Sequence, residues 1–483
     1  MTASNRTADL QGFLNGIDGV PAISDRLTVR RKSRDMTAAF SPVMRQEMKD
    51  KFADIVVRPQ SKDDVLRIAA AAARNRMPLI ARGAGTANFG QGIPLRGGAI
   101  VDMTALNKIV WIKGPAVRAE CGIRLAEVDA ATRPHGFELR MFPSTKQQAT
   151  LGGYVGGGHS GVGCCVYGIL RDRGNIRALE VVSVEENPKI VELRGDDVLL
   201  VHHAYGTNGL ITELEMPLAP AWPWREVIVA FDDVMGAVRF SHDLATSDGI
   251  VKKLISILGA PVPQMIRELR PFGGATRSLV LCLIADISLE AFEVLVRNWR
   301  GEIASLCEEG EGAYGLPLYE FSWGHTRLQV NKEDPSIVGV IGLYASADPV
   351  ADIAKSERRF RHLRGMHFEV KRFDGRLSYQ GSPYFSYVDD AQLAEIMQGM
   401  AEDGAMIANN HTFLVKQGGM KPVTPADLAF KRRMDPHNLL NPGKMDFDDA
   451  QAAESAGADL TDKTWSYRTA QPGTPGSDRP DPG

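Results

Sequence analysis

Two glycine-bearing stretches hold the residue types best suited to gripping an anion. The first is Pro78-Leu-Ile-Ala-Arg-Gly-Ala-Gly-Thr-Ala-Asn-Phe-Gly90. The second is Pro143-Ser-Thr-Lys-Gln-Gln-Ala-Thr-Leu-Gly-Gly-Tyr-Val-Gly-Gly-Gly-His159. In the first, an apolar run at 79–81 ends in Arg82-Gly83-Ala84-Gly85-Thr86, which reads as a buried strand delivering a loop with almost no side chains. Glycine removes the Cβ and permits φ > 0, so successive backbone N–H groups can approach a negative charge. The second stretch adds the hydroxyls of Ser144, Thr145 and Thr150. Two such loops suggest a large, flat, phosphate-bearing ligand. Neither is a standard nucleotide fingerprint: the first lacks Gly-x-Gly-x-x-Gly, and no Gly-x-x-x-x-Gly-Lys-Ser/Thr occurs there. For proton handling, His325 stands out in Phe321-Ser-Trp-Gly-His-Thr-Arg327, with an aromatic neighbour and a cation two residues on. His411 stands out in Ala408-Asn-Asn-His-Thr-Phe413.

The elements around these loops follow from pattern. Ile55-Val56-Val57 reads as a short strand. Ser61 then caps a helix whose first turn holds Asp63 and Asp64, where the dipole favours acid. Val65, Leu66, Ile68, Ala69, Ala72 and Ala73 give that helix its apolar face. The strand at 78–81 completes a β-α-β unit that empties into the first glycine loop. Further strands are expected at 98–103, 117–121, 177–184 and 190–193, and a helix at 124–132. Past Pro217, Pro220 and Pro223 the register changes. Strands at 227–231, 279–284 and 337–344 alternate with helices at 233–245 and 289–307, the pattern of a separate α+β layer. His362 and His367, five apart, are expected on opposite sides of a helix.

Bulk properties narrow the classes. The 483 residues carry 56 Lys/Arg and 59 Asp/Glu, a formal net charge of −3, which argues against a nucleic-acid partner. No apolar run reaches the roughly 18 residues of a membrane span. The first thirty residues hold no apolar signal core, so a cytoplasmic location is expected. Cys121, Cys164, Cys165, Cys282 and Cys307 show neither C-x-x-C nor zinc spacing. No metal is expected.

The order of parts resembles the FAD domain of the vanillyl-alcohol oxidase and para-cresol methylhydroxylase (PCMH) family of flavoproteins. The resemblance runs through Ile55-Val-Val-Arg-Pro59, Arg82-Gly83-Ala84-Gly85-Thr86, Gly98-Ala-Ile-Val-Asp102, Glu120-Cys-Gly122, Pro143-Ser144 and Thr150-Leu-Gly-Gly153. It continues through Tyr167-Gly168 with Asp172 and Gly206-Thr-Asn-Gly-Leu-Ile-Thr-Glu213, and closes at Asp435-Pro-His-Asn-Leu-Leu-Asn-Pro-Gly-Lys444. It implies an α+β fold: a two-subdomain FAD-binding domain of the PCMH type with an α+β cap, or substrate, domain. The implied division is a lead-in at 1–50, the FAD-binding domain at 51–220, the cap at 221–408, a returning segment at 409–446 and a disordered tail at 447–483.

The same resemblance implies FAD as cofactor. Its expected contacts are Arg82, Gly83, Ala84, Gly85, Thr86, Ala87, Pro143, Ser144, Thr150, Gly152, Gly153, Gly157, His159, Ile211 and Asn441. Thr86 stands where some members carry the His that links the flavin covalently, so the flavin is expected to be non-covalent; His325 is the residue that could make a cap-domain link. The implied reaction removes a hydride from a CH–OH or benzylic carbon of a small organic substrate. Oxygen or another acceptor then takes the electrons. A base must take any hydroxyl proton, a service worth about 10²–10⁴-fold in rate. His411 lies where hydroxy-acid-oxidising relatives carry an active-site His, and His325 is the second candidate. Arg327, Arg372 and Tyr384 are the expected substrate contacts. Two alternatives stand beside this reading: a D-2-hydroxyacid dehydrogenase passing electrons to a quinone or carrier protein, and a flavin-binding subunit without turnover. The cluster Gly-Asp-Gly-Asn-x-His of metal-dependent 2-hydroxyacid dehydrogenases has no counterpart in the sequence.

Overall fold

The computed structural model describes residues 8–445 and 447; the tail expected to be disordered lies outside the described residues except Phe447. Among the described residues the strands form three sheets. The first is small and mainly parallel. Ile55–Val57 and Leu79–Arg82 flank Ala99–Asp102, with Ile55 and Leu79 both opposite Ala99. The crossover helix Lys62–Asn75 starts where expected, with Ser61 Oγ accepting from the Asp64 N–H, and it stops at Arg76 in the left-handed region (φ 54°). Its alanine-rich face, with Val65 and Ile68, is buried. The strand Leu79–Arg82 lies at the edge of this sheet, paired along its length with Ala99–Asp102 and bridged on its other side at Leu79 to Leu440, which fixes its exit into residue 83.

The second sheet is antiparallel and six-stranded, built around the long strand Leu210–Pro220. Ala116–Glu120 and Ala178–Val182 pair with that strand. The helix Leu151–Gly157 begins at Thr150 and carries the second glycine stretch.

A nine-stranded sheet takes up most of the chain beyond residue 223. Eight of its strands belong to two β-α-β-β-α-β units of the same connectivity, and the ninth, Ile337–Gly339, pairs with Arg376–Ser386. The first comprises Trp224–Phe231, helix Val234–Thr246, Lys252–Leu258, Ser278–Ala285, helix Leu289–Asn298 and Glu302–Glu308. The second comprises Ile341–Tyr344, helix Pro349–Phe360, Met366–Phe373, Arg376–Ser386, helix Asp390–Glu402 and Met406–Ala408. The units join edge to edge through Lys252–Leu258 and Met366–Phe373, with Ser256 opposite Glu369 and Leu258 opposite His367.

Three expectations of local structure fail here, each for a physical reason. The helix expected over 289–307 stops at Asn298, because Arg300 enters the left-handed region (φ 56°) and Gly301 packs where a Cβ would lie 2.8 Å from the Phe231 ring. Residues 302–308 then form an edge strand. The run at 337–344 splits into Ile337–Gly339 and Ile341–Tyr344. His367 sits on a strand rather than a helix, because residues 366–373 pair on both edges, and His362 lies in the preceding turn.

Candidate active site

The first glycine loop, the second glycine helix and the segment 205–211 enclose a cradle. Of the residues expected from the sequence to contact the cofactor, Arg82, Gly83, Ala84, Gly85, Thr86, Ala87, Pro143, Thr150, Gly152, Gly153, Gly157, His159 and Ile211 line it. Gln91, Cys121, Tyr205 and Gly206 line it too; none of the four is among the contacts expected from the sequence, although Cys121 and Gly206 fall within the motifs that carry the resemblance. Ser144 instead lines a neighbouring cavity. Asn441 lines neither; its Nδ2 donates to the carbonyls of Gln91 (2.7 Å) and Tyr205 (2.6 Å), so it ties two walls of the cradle together.

The cradle's walls fit a flavin dinucleotide. A Cβ on Gly83 would stand 2.0 Å from Thr150 Oγ1. Gly85 adopts φ +78°, and a Cβ there would meet the Arg82 guanidinium at 1.8 Å. Among the described residues, the N–H groups at 84–87 donate to no protein acceptor. Among the described residues Arg82, 9% exposed, forms no ion pair; its Nη1 donates to the Arg34 carbonyl (2.7 Å) and its Nε is left without a partner. Burial pulls its guanidinium down from the usual range, with Asp35 and Asp102 opposing. Unpaired amides and a desolvated cation call for an anion, and a diphosphate meets that demand. Cys121 is buried, and burial pushes its thiol well up, so it is an inert wall.

A second cavity, of about 140 Å³, abuts the cradle; Thr86, Pro143, Thr145 and His159 line both. Its floor is one face of the nine-stranded sheet. His367 lies opposite Ser382 and Glu369 opposite Gln380, so side chains at 367, 369, 380, 382 and 384 share that face. Tyr384, 1% exposed, places its hydroxyl 3.3 Å from His367 Nδ1. His367 Nε2 lies 2.7 Å from Glu369 Oε1. The tautomer follows from the neighbours. Thr326 Oγ1 and Ser256 Oγ also approach Nε2, but they donate to Phe321 O (2.7 Å) and Glu369 Oε1 (2.8 Å). Nε2 therefore carries the hydrogen and gives it to Glu369, and Nδ1 accepts from Tyr384. Trp323 N–H also donates to Glu369 Oε1. Burial pushes the Tyr384 phenol up, and Arg327 opposes that shift.

The helix Trp323–Glu333 supplies the opposite wall. Arg327, 5% exposed, lines the cavity. Its Nε donates to Asn331 Oδ1 (3.0 Å) and Nη2 to the Phe40 carbonyl (2.8 Å), while Nη1 makes no hydrogen bond to the protein among the described residues. No carboxylate pairs with it there. Burial pulls its guanidinium down to about 10. His325 lines the same cavity, with Nδ1 2.7 Å from Glu320 Oε2. Asn410 adds a buried amide oxygen without a partner.

Two expected site residues stand elsewhere. His411 is buried outside the lining. Its Nδ1 receives the Ser41 hydroxyl (2.9 Å), and its Nε2 lies 3.3 Å from the Gly339 carbonyl. Ser41 Oγ in turn caps the helix Pro42–Glu47, so His411 fastens the N-terminal segment to the sheet. Burial and the nearby Arg327 lower its imidazole to about 4. Arg372 lies an odd number of residues from His367, so it takes the opposite face of Met366–Phe373, where it lines a separate cleft with Lys252 and Trp222. Tyr379 likewise faces away, toward His242 Nδ1 (3.2 Å). The sequence reading passed over His367, Glu369 and Asn410; strand alternation at 367–371 and 380–384 is the signal that would have grouped His367 and Glu369 with Tyr384. Among the described residues no group of three His, Cys, Asp or Glu could hold a metal ion, and no helix is long and apolar enough to cross a membrane.

Comparison with known proteins agrees with the cradle. Residues 53–193 match the FAD binding domain family. The chain is 23% identical over 430 residues to glycolate oxidase subunit GlcD of Bacillus subtilis, covering 82% of this chain and 90% of that protein. It is 36% identical over 134 residues to D-2-hydroxyglutarate dehydrogenase of Pseudomonas putida, covering 26% of this chain and 13% of the relative. The solved structure of alkyldihydroxyacetonephosphate synthase superposes with a TM-score of 0.66 at 16% identity, over 92% of this chain and 88% of that one, which shows the shared fold. The fold is thus that of a PCMH-type FAD-binding protein with mixed α/β content. The chain is an FAD-dependent oxidoreductase, with FAD as its cofactor and a small molecule and an electron acceptor as its partners. These relatives support the FAD-linked oxidases at large rather than vanillyl-alcohol oxidase in particular.

Proposed function

We propose that the protein oxidises the CH–OH carbon of a 2-hydroxy acid. The observation that carries this reading is a buried cation without a counter-charge, Arg327, facing the same cavity as the Tyr384–His367–Glu369 chain, next to the cradle. Bound FAD supplies the two-electron, hydride-accepting chemistry. Arg327 Nη1 and Nη2 hold the substrate carboxylate, a charge-assisted contact strengthened by burial. That anchoring sets the neighbouring hydroxyl on Tyr384 Oη. As the C–H leaves as hydride, Tyr384 takes the hydroxyl proton and gives its own to His367 Nδ1. Glu369, 2.7 Å from Nε2, stabilises the resulting imidazolium. The products are a 2-oxo acid and a protonated relay; the electron pair passes on to the acceptor. Thr86 offers the flavin no imidazole, and we hold the flavin to be bound without a covalent link.

The names of the two relatives, each a hydroxy-acid enzyme or subunit, agree with this class. The test is anaerobic mixing of the yellow protein with 2-hydroxy acids and with matched alcohols lacking the carboxylate. Loss of the oxidised flavin's visible absorbance with the acids alone supports the reading. Equal bleaching by the alcohols removes Arg327 from its role, and bleaching by neither class marks a flavin-binding subunit without turnover.

A further inference from the structure

The cavity also bears on which 2-hydroxy acid. We propose that the substrate is a monocarboxylate with an apolar substituent on its hydroxyl-bearing carbon, and that both glycolate and dicarboxylic hydroxy acids are poor substrates. This rests on Arg327 as the carboxylate anchor.

The first argument is charge. Four cationic or potentially cationic side chains line the cavity: Arg327, His325, His367 and His159. His325 is matched by Glu320 at 2.7 Å and His367 by Glu369 at 2.7 Å. Burial lowers the His159 imidazole to about 4, which leaves it neutral at ordinary pH. One positive charge therefore lacks a partner, and it is spent on the first carboxylate. A second carboxylate would be desolvated with no cation to meet it, and would lie near Glu369 and Glu320.

The second argument is the wall. The cavity is also bounded by Phe40, Phe89, Trp323, Leu328 and Met420, and by Ile341, which stands beside Ser382 on the floor's own face. These arrive from the N-terminal segment, the first glycine loop, the helix Trp323–Glu333, the strand Ile341–Tyr344 and the segment past residue 409. The volume of about 140 Å³ is close to the roughly 150 Å³ of an engineered apolar cavity that takes up benzene. Glycolate has no carbon beyond its hydroxyl-bearing one to place against that wall. Each added methylene that leaves water there is worth about four-fold in binding.

The test is kcat/KM, with flavin reduction followed in parallel, for a graded series of glycolate and both enantiomers of lactate, 2-hydroxybutyrate, 2-hydroxypentanoate, 2-hydroxy-4-methylpentanoate, mandelate and 2-hydroxyglutarate. The informative pair is 2-hydroxypentanoate against 2-hydroxyglutarate, because their carbon skeletons have the same length and differ in the second charge. The expected result is a rise of about three- to four-fold per apolar carbon, with 2-hydroxyglutarate on the order of 10²-fold below 2-hydroxypentanoate. Glycolate or 2-hydroxyglutarate equal to or better than the apolar acids overturns the inference while leaving the hydroxy-acid reading in place. If no member of the series bleaches the flavin, that reading falls as well, and the inference with it.

Discussion

The cradle and the cavity beside it share four lining residues yet are built from opposite materials. The cradle is mostly main chain. Its glycines at 83 and 85 leave no room for a Cβ, and the amides at 84–87 find no protein acceptors among the described residues. The cavity is mostly side chain, with a cation from one helix, a phenol and an imidazole backed by Glu369 from two adjacent strands, and apolar side chains from five separate segments. A surface of backbone accepts a cofactor common to many proteins. A surface of converging side chains selects one substrate. Binding of FAD and turnover of substrate should therefore come apart under mutation.

The largest effect is expected from Gly85→Val. A β-branched residue at φ +78°, with its Cβ inside the Arg82 guanidinium, forces the loop open. Flavin content of the purified protein should fall at least about ten-fold, and all activity with it. Arg327→Met should do the reverse, keeping stoichiometric flavin while kcat/KM for the hydroxy acid drops on the order of 10²–10³-fold. Because the arginine is desolvated and has no carboxylate partner, the same change should leave the melting temperature unchanged or raise it. A melting temperature several degrees lower would show that Arg327 is a structural residue.

Tyr384→Phe should slow flavin reduction by about 10²-fold or more with little change in flavin content. His367→Asn should cost about ten-fold to a hundred-fold, and should move the pH dependence of the reduction step as well as its rate. His325→Asn sharpens the contrast between the two imidazole–carboxylate pairs. His325 is more open to solvent than His367, with side chains 15% and 6% exposed, and it has no hydroxyl relay to the cavity. Its replacement should cost less than about ten-fold; a larger loss than that of His367→Asn would reverse their roles. The smallest effect is expected from His411→Asn. Its imidazole is depressed to about 4, so it is neutral between pH 5 and 8 and cannot produce an inflection there. The pH profile should keep its shape, and the loss should appear in melting temperature through the broken tie to Ser41.

Legibility followed the same division. The cradle was readable because its determinants are contiguous: an apolar strand, a glycine pair, and a capped helix of small residues. Thirteen of the fifteen expected cofactor contacts line it, and the two exceptions, Ser144 and Asn441, lie in or against its walls. The cavity was largely opaque because its parts meet only through sheet register. Nothing local marks His367 as the partner of Tyr384; the pairing of His367 with Ser382 does. The same register turns Arg372 away, although it stands five residues from His367. The apolar stretch at 337–344 was identified as strand, but the strand pairing it with the floor was not. The sequence around His411 points to an active-site imidazole, whereas its buried hydrogen bonds to Ser41 and Gly339 give it a fastening role. Arg327 and Tyr384 stand out in the sequence only one at a time. Their convergence on one cavity needed the third dimension.

The central claim is that the Arg327–Tyr384 cavity and the flavin cradle form one reaction centre. Its most direct test is the anaerobic rate of flavin bleaching by an apolar 2-hydroxy acid in wild-type and Tyr384→Phe protein carrying equal flavin. The expected result is rapid bleaching in the first and a rate at least about 10²-fold lower in the second. Equal rates in the two proteins would contradict the account.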